Sequence, residues 1–287
     1  MKTLLVILAH PDDESFGPGA TLAKYVQSGV AVHYLCGTRG ESGTVDAEKL
    51  KGYKDIAELR TAELACAAKE LGLAGVHFLG YRDSGMVGSD DNQLSNSLHA
   101  AGIDEVAEHI IRFIDELKPD VVMTHDQYGG YGHPDHIKLH YATRRAYELK
   151  YGIYLHQAED GRMEYADNSA KDVPAAPRLY FPVFPKSAAK FGVWAMKWLR
   201  QDPTKFGRNK DINLAQIAGW DVPVTCKIDI RGWGEIKKRA SACHASQQGL
   251  GQAPLFVRLL FRFQSRYESF ARAYPPTRSG EPVEAVL

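Results

Sequence analysis

Thr3-Leu4-Leu5-Val6-Ile7-Leu8-Ala9, running directly into His10-Pro11-Asp12-Asp13-Glu14, is the stretch on which the fold turns. Seven residues that are almost continuously apolar, rich in leucine, valine and isoleucine and without polar alternation, suit a strand buried on both faces of a parallel sheet. The run is too short to cross a bilayer or to form a complete signal core. Open α/β sheets bind their ligands beyond the carboxyl ends of their strands. An imidazole and three carboxylates at such an end are therefore the first candidates for chemistry.

Outward from this strand the pattern alternates. A helical periodicity through Leu22, Ala23 and Val26 stops near Ser28-Gly29, and residues 30–35 read as a second strand. A helix over Ile56–Leu71, a strand over 76–79, a helix over Ile103–Leu117 ended by Lys118-Pro119-Asp120, a strand over Val121–Thr124 and a helix over 134–150 follow. This order predicts an α/β fold, a Rossmann-like doubly wound, mostly parallel sheet with helices on both faces and a C-terminal elaboration. We divide a single domain, 1–287, into a core over 1–150, a substrate-selecting insertion or cap over about 151–220, and a C-terminal strand and helices over 221–287. Within the last two parts, 179–184 and 222–230 read as strands and 233–243 as a helix. Residues 255–270 carry Phe256, Phe261, Phe263 and Phe270 at helix-like spacing, suited to core or subunit interface, and the tail from Pro275 reads as loose.

Composition narrows the partners. Thirty-five basic residues balance 35 acidic ones, so no chain-wide field steers a polyanion, and neither nucleic acid nor an anionic membrane is an expected partner. A small molecule fits better, and the chain stands as a monomer or a homo-oligomer. Cys36, Cys66, Cys226 and Cys243 are scattered without ligand-like spacing, which predicts buried thiols in a reducing, cytoplasmic setting.

A second polar loop, 124–136, follows the strand at Val121–Thr124 and ends in Tyr131-Gly132-His133-Pro134-Asp135-His136. Two histidines three apart at a helix start can face one side. Three adjacent carboxylates at 12–14 repel one another unless a cation neutralises them. Imidazoles and carboxylates make a normal zinc set, with three protein ligands and an open position in catalytic sites. The two loops together predict a metal site, and residue chemistry alone leaves open which histidines bind.

With these motifs in view, the sequence resembles the PIG-L/LmbE-like superfamily of zinc-dependent N-acetylglucosaminide deacetylases, including those of the mycothiol and bacillithiol pathways. The carriers are Ala-His-Pro-Asp-Asp-Glu at 9–14, the Gly-Glu-x-Gly-like turn at 40–43, Arg60 with Glu63-Leu64, the 80–86 segment, 131–136, and His244-Ala-Ser-Gln247. The resemblance implies His10, Asp13 and His136 as ligands of Zn²⁺, with Fe²⁺ the alternative. It implies Asp12 as general base, His133 as imidazolium or general acid stabilising the oxyanion, and Tyr131 as a lid residue hydrogen-bonding it. Arg60 and Asp83 match substrate-contacting positions, while Asp135 and Glu14 stand behind the metal site. The implied activity is removal of the N-acetyl group from an amino sugar derivative. Cleavage of a larger amide such as a thiol S-conjugate, or carbohydrate binding without catalysis, are the alternatives. His125, Asp126 and His244 are read as packed residues.

Overall fold

The computed structural model describes residues 1–157, 163–165, 175–183, 186–206, 212–220, 222–247 and 266–277. In chain order the elements are β1 (Thr3–Leu8), α1 (Asp13–Phe16), α2 (Gly19–Gln27), β2 (Ala31–Cys36), α3 (Ile56–Leu71), β3 (Gly75–Phe78), α4 (Ile103–Leu117), β4 (Val121–Thr124), α5 (Gly129–Gly132) and α6 (Pro134–Tyr151). Then come β5 (Leu155–Gln157), β6 (Met163–Tyr165), β7 (Arg178–Pro182), α7 (Lys186–Trp198), α8 (Leu214–Ile217), β8 (Cys226–Asp229), α9 (Gly234–Cys243) and β9 (Tyr267–Tyr274).

Burial of β1 explains its composition. Leu5 and Ile7 join one core with Ile110 and Ile114 of α4 and with Leu139 and Tyr147 of α6. Leu4, Val6 and Leu8 face the opposite layer with Leu22, Tyr25, Leu64 and Phe270. Both faces of the strand are covered, so neither can be polar. Ile110 is fully buried in the first core. We expect Ile110→Ala to cost about 2–5 kcal/mol, measured as a shifted urea midpoint at unchanged m-value.

The seven-stranded sheet runs β3-β2-β1-β4-β7-β9-β8. The pairings from β3 through β7 are parallel, and β9 runs antiparallel to both β7 and β8. The strand order reverses direction between β1 and β4, which opens a crevice at their carboxyl ends. Both motif-bearing loops leave the sheet there.

Two expectations are corrected. The C-terminal stretch does not read as helix at its described end: residues 267–274 form β9, with Phe270 buried against Cys226 and Pro182 in register. Pairing with β7 on one side and β8 on the other decides this strand, and Phe256, Phe261 and Phe263 lie outside the described residues. The cysteines are not four thiols either, because Cys66 and Cys243 form a disulfide that ties α3 to α9 across 177 residues of chain. Packing of those two helices brings their Cα atoms to 5.7 Å, which no sequence spacing could display. Cys36 and Cys226 are free and buried. With the disulfide, the thiol argument for a reducing compartment falls away. No helix among the described residues is long and apolar enough to cross a membrane.

Candidate metal centre

Where β1 ends, the chain turns through Asp12 with φ +126°, a region that residues with a side chain rarely occupy. Strain of this kind collects at functional positions held by their surroundings. Here the surroundings are Asp13, whose Oδ2 accepts the N–H groups of Ala9 (3.2 Å) and His10 (2.9 Å), and Glu14, whose Oε2 accepts the N–H of Asp12 (2.9 Å). Glu14 is in turn paired with fully buried His244 at 2.7 Å. Burial alone would depress the His244 imidazole, but the Glu14 carboxylate raises it above its ordinary value.

Across the crevice, His133 caps α6: its Nδ1 accepts the N–H of Asp135 at 3.2 Å. One turn on, His136 projects from the same helix start, and its Nδ1–H donates to Gly129 O at 3.1 Å. That bond leaves Nε2 with its lone pair toward the crevice. Gly129 is required for this approach, since a Cβ there would lie 2.9 Å from the His136 Cβ and the residue has φ +62°.

His10, Asp13 and His136 converge. His10 Nδ1 is 3.1 Å from His136 Nε2, Asp13 Oδ2 is 3.4 Å from that nitrogen and 3.6 Å from His10 Nδ1. Tetrahedral zinc with bonds of about 2.0–2.1 Å holds its donors about 3.3 Å apart, so this set fits a divalent ion. His10 presents its other nitrogen to carboxylates, Asp135 Oδ2 at 3.3 Å and Asp83 Oδ1 at 3.4 Å. A ligand histidine oriented by a carboxylate behind it is the usual arrangement.

Other donors overlap this set: His133 with His10 and His136, Asp83 and Asp135 with His10 and His133, and His125 with Asp13 and His136. Several of these donors are already engaged by the protein. His125 Nε2 already accepts the N–H of Ala9 at 3.1 Å, while its ring stacks on His136 at 3.7 Å. Asp135 accepts both the N–H and the hydroxyl of Ser84, and Asp83 accepts from Ser42 N (3.3 Å) and Gly85 N (2.9 Å). We expect Asp135→Asn to weaken metal affinity roughly 10- to 100-fold, as removal of such supporting groups does, in a competition titration against a chromogenic chelator.

Asp12 stands beside the triad. Its Oδ2 accepts from the Arg60 guanidinium at 2.9 Å, and the same nitrogen donates to Pro11 O at 2.5 Å. Arg60 also reaches Gly40 O at 3.2 Å and is only 4% exposed, so all three contacts of this side chain are to the protein. Repulsion among the three acids is thus relieved in part by a cation from α3, 48 residues away. Burial pushes the Asp12 carboxyl up to about 7, against the pull of Arg60. Such a value suits a base working near neutrality.

Around the rim, burial and the neighbouring imidazoles hold His133 well below its ordinary pKa. Accepting the Asp135 N–H also requires an unprotonated Nδ1, so His133 is a neutral ring with its proton on Nε2 rather than the imidazolium that the sequence resemblance allows. Tyr131 sets its ring edgewise to His136 at 5.0 Å and to His133 at 5.9 Å. Asp83 would be raised by burial, but His10 and the Gly85 N–H hold it well below the carboxylate range.

The structure therefore brings all ten sequence-nominated residues to one crevice. Two further residues belong with them. His125 stacks on His136 of its own loop and accepts the Ala9 N–H from 116 residues away, while His244 buttresses Glu14 from 230 residues away. The motif His244-Ala-Ser-Gln247 was the only local signal for the second: Ser246 also clamps Glu63 of α3 through its N–H (2.7 Å) and hydroxyl (2.6 Å).

Comparison with known proteins follows this geometry. Residues 5–147 match the family described as GlcNAc-PI de-N-acetylase, PIG-L. A 1D-myo-inositol 2-acetamido-2-deoxy-α-D-glucopyranoside deacetylase of Catenulispora acidiphila is 34% identical over 260 residues, covering 88% of this chain and 77% of its own. Among solved structures, N,N'-diacetylchitobiose deacetylase from Pyrococcus horikoshii superposes with a TM-score of 0.59 at 19% identity over 94% of this chain and 83% of its own. The 4-carboxy-2-hydroxymuconate hydratase of Pseudomonas putida gives 0.54 at 20% identity over 99% of this chain and 100% of its own. One fold thus carries a deacetylase and a hydratase, and the reaction has to be argued from the site.

Proposed function

Since the chain belongs to the PIG-L family of GlcNAc-PI de-N-acetylases, we propose that it hydrolyses the acetamide of an N-acetylglucosamine derivative, with His10, Asp13 and His136 holding Zn²⁺ or Fe²⁺. The observation that carries this reading is the convergence of those three donors within 3.1–3.6 Å with a partly buried, elevated carboxyl beside them. A divalent ion held there supplies Lewis acidity and makes a water acidic enough to lose its proton near neutral pH.

The chain's own groups do the rest. Asp12 Oδ2, oriented by Arg60, takes the proton from water as its oxygen adds to the acetamide carbon. The negative charge that develops on the carbonyl oxygen is met by the His133 Nε2–H, with the Tyr131 hydroxyl as a second donor from the rim. The C–N bond then breaks, the proton passes from Asp12 to the departing nitrogen, and acetate and a free amine result. Asp83 lies behind His10, its Oδ1 3.4 Å from the ring's Nε2, and orients that ring. The relatives' named substrate, an N-acetylglucosaminyl inositol, makes that conjugate the first compound to test.

The test is a panel of N-acetylated amino sugars, beginning with the inositol conjugate, assayed for acetate release before and after chelation and after return of Zn²⁺ or Fe²⁺. Release that stops on chelation and resumes with metal supports the proposal. Undiminished activity in metal-free protein would sink it.

A further inference from the structure

Helix α7 shows solvent an aromatic face flanked by lysines. Phe191, Trp194 and Trp198 are 36%, 60% and 70% exposed, and Lys190 and Lys197 are exposed beside them. With 3.6 residues per turn, these five side chains occupy an arc of about 120°. The opposite side is seated against the protein, with Ala189 and Ala195 buried and Gly192 so close to Leu214 of α8 that a Cβ would come within 2.9 Å. Among the described residues, the ring partner of Trp194 is Phe191 of the same helix, 5.4 Å away.

Charge distinguishes the possible occupants. The helix holds Lys186, Lys190 and Lys197 and no acid, and Arg200 and Lys205 follow. The single acid between 186 and 205, Asp202, is turned back onto Thr204. The chain-wide balance of 35 against 35 conceals this local excess. Protein interfaces favour exposed aromatics but are depleted in lysine. Tryptophan with flanking lysines is instead the composition of helices that lie in a lipid headgroup layer, where the indole sits at the apolar boundary and the long lysine stem reaches up to phosphates.

We propose that α7 docks the protein on an anionic phospholipid surface, lying on the bilayer with Phe191, Trp194 and Trp198 inserted and Lys190 and Lys197 at the phosphates. The proposal uses no residue of the crevice, so this inference stands apart from the hydrolytic reading. It replaces the expectation, drawn from net charge, that an anionic membrane is no partner.

The experiment is co-sedimentation of the full chain with vesicles of phosphatidylglycerol and phosphatidylcholine, and with phosphatidylcholine alone, at low and at 0.5 M salt, roughly where the Debye length falls to a few ångströms. Binding is expected to the anionic vesicles only and to drop at high salt. Each lysine near such a surface contributes roughly fivefold, so Lys190→Glu with Lys197→Glu should lower partitioning by at least about tenfold, and Trp194→Ala with Trp198→Ala by a similar factor. Both double variants should keep the parent's thermal unfolding profile and its far-ultraviolet circular dichroism, so that a loss of partitioning reports the surface and not the fold. Absence of binding to anionic vesicles, or binding unaffected by either double variant, would overturn the proposal. A concentration-dependent dimer in sedimentation equilibrium that Trp194→Ala with Trp198→Ala dissolves, without vesicle binding, would assign the face to a second copy instead.

Discussion

Asp12→Asn is expected to lower kcat on the order of 10³-fold while the purified protein still carries its metal. Asparagine keeps the shape of the side chain and is among the few residues that tolerate a positive φ, here +126°. The substitution therefore removes the proton acceptor and little else. Arg60 loses a charged partner, but its bonds to Pro11 O and Gly40 O remain and should hold it in place. If Asp12 is the base, the parent's kcat/KM rises with pH as the carboxyl ionises, and this acid limb is absent from the variant. In the absence of a cation, burial places that ionisation at about 7. A divalent ion in the adjoining triad favours the carboxylate, so the limb should fall below that value. Steady-state kinetics across pH 5–9 (a range of about four units centred on neutrality), with metal content measured on the same samples, provides the check. A variant that retains most of its kcat would remove Asp12 from the mechanism.

His136→Ala should be still more damaging, because it acts on the ion itself. Loss of a group that only orients a ligand costs about 10- to 100-fold in affinity, and loss of one of three ligands should exceed that. The expected result is protein purified with little metal and without measurable acetate release, yet folded, since His136 contributes one side chain at a helix start whose Pro134 and His133 cap persist. Elemental analysis and circular dichroism together separate the two effects. His125→Ala makes an instructive companion. It removes the ring stacked on His136 and the acceptor for the Ala9 N–H, and should weaken metal binding less than loss of the ligand.

Much of the fold could be read locally. The run Leu4 to Leu8 could only be a strand covered on both sides, and its burial in two separate cores bears that out. The helices Ile56–Leu71 and Ile103–Leu117 and the strand Val121–Thr124 keep the bounds expected from periodicity and from their glycine and proline stops. The strand at 267–274 escapes such a reading because Phe270 closes a run of aromatics at helix-like spacing, while the pairing that makes it a strand comes from β7 and β8, segments distant in sequence.

The sequence by itself determined the α/β alternation and the two strand-end loops with their imidazoles and carboxylates, because periodicity, stop signals and unusual charge density are properties of contiguous residues. Tertiary structure alone decided how those groups are held. Arg60 against Asp12, His244 against Glu14, His125 against the Ala9 N–H and the bridge from Cys66 to Cys243 are contacts between elements that meet only when the sheet closes and its helices pack. The proton position on His133 and the elevated carboxyl of Asp12 come from the same source. Both depend on burial and on the direction of particular N–H groups, and a linear sequence specifies neither until the chain has folded.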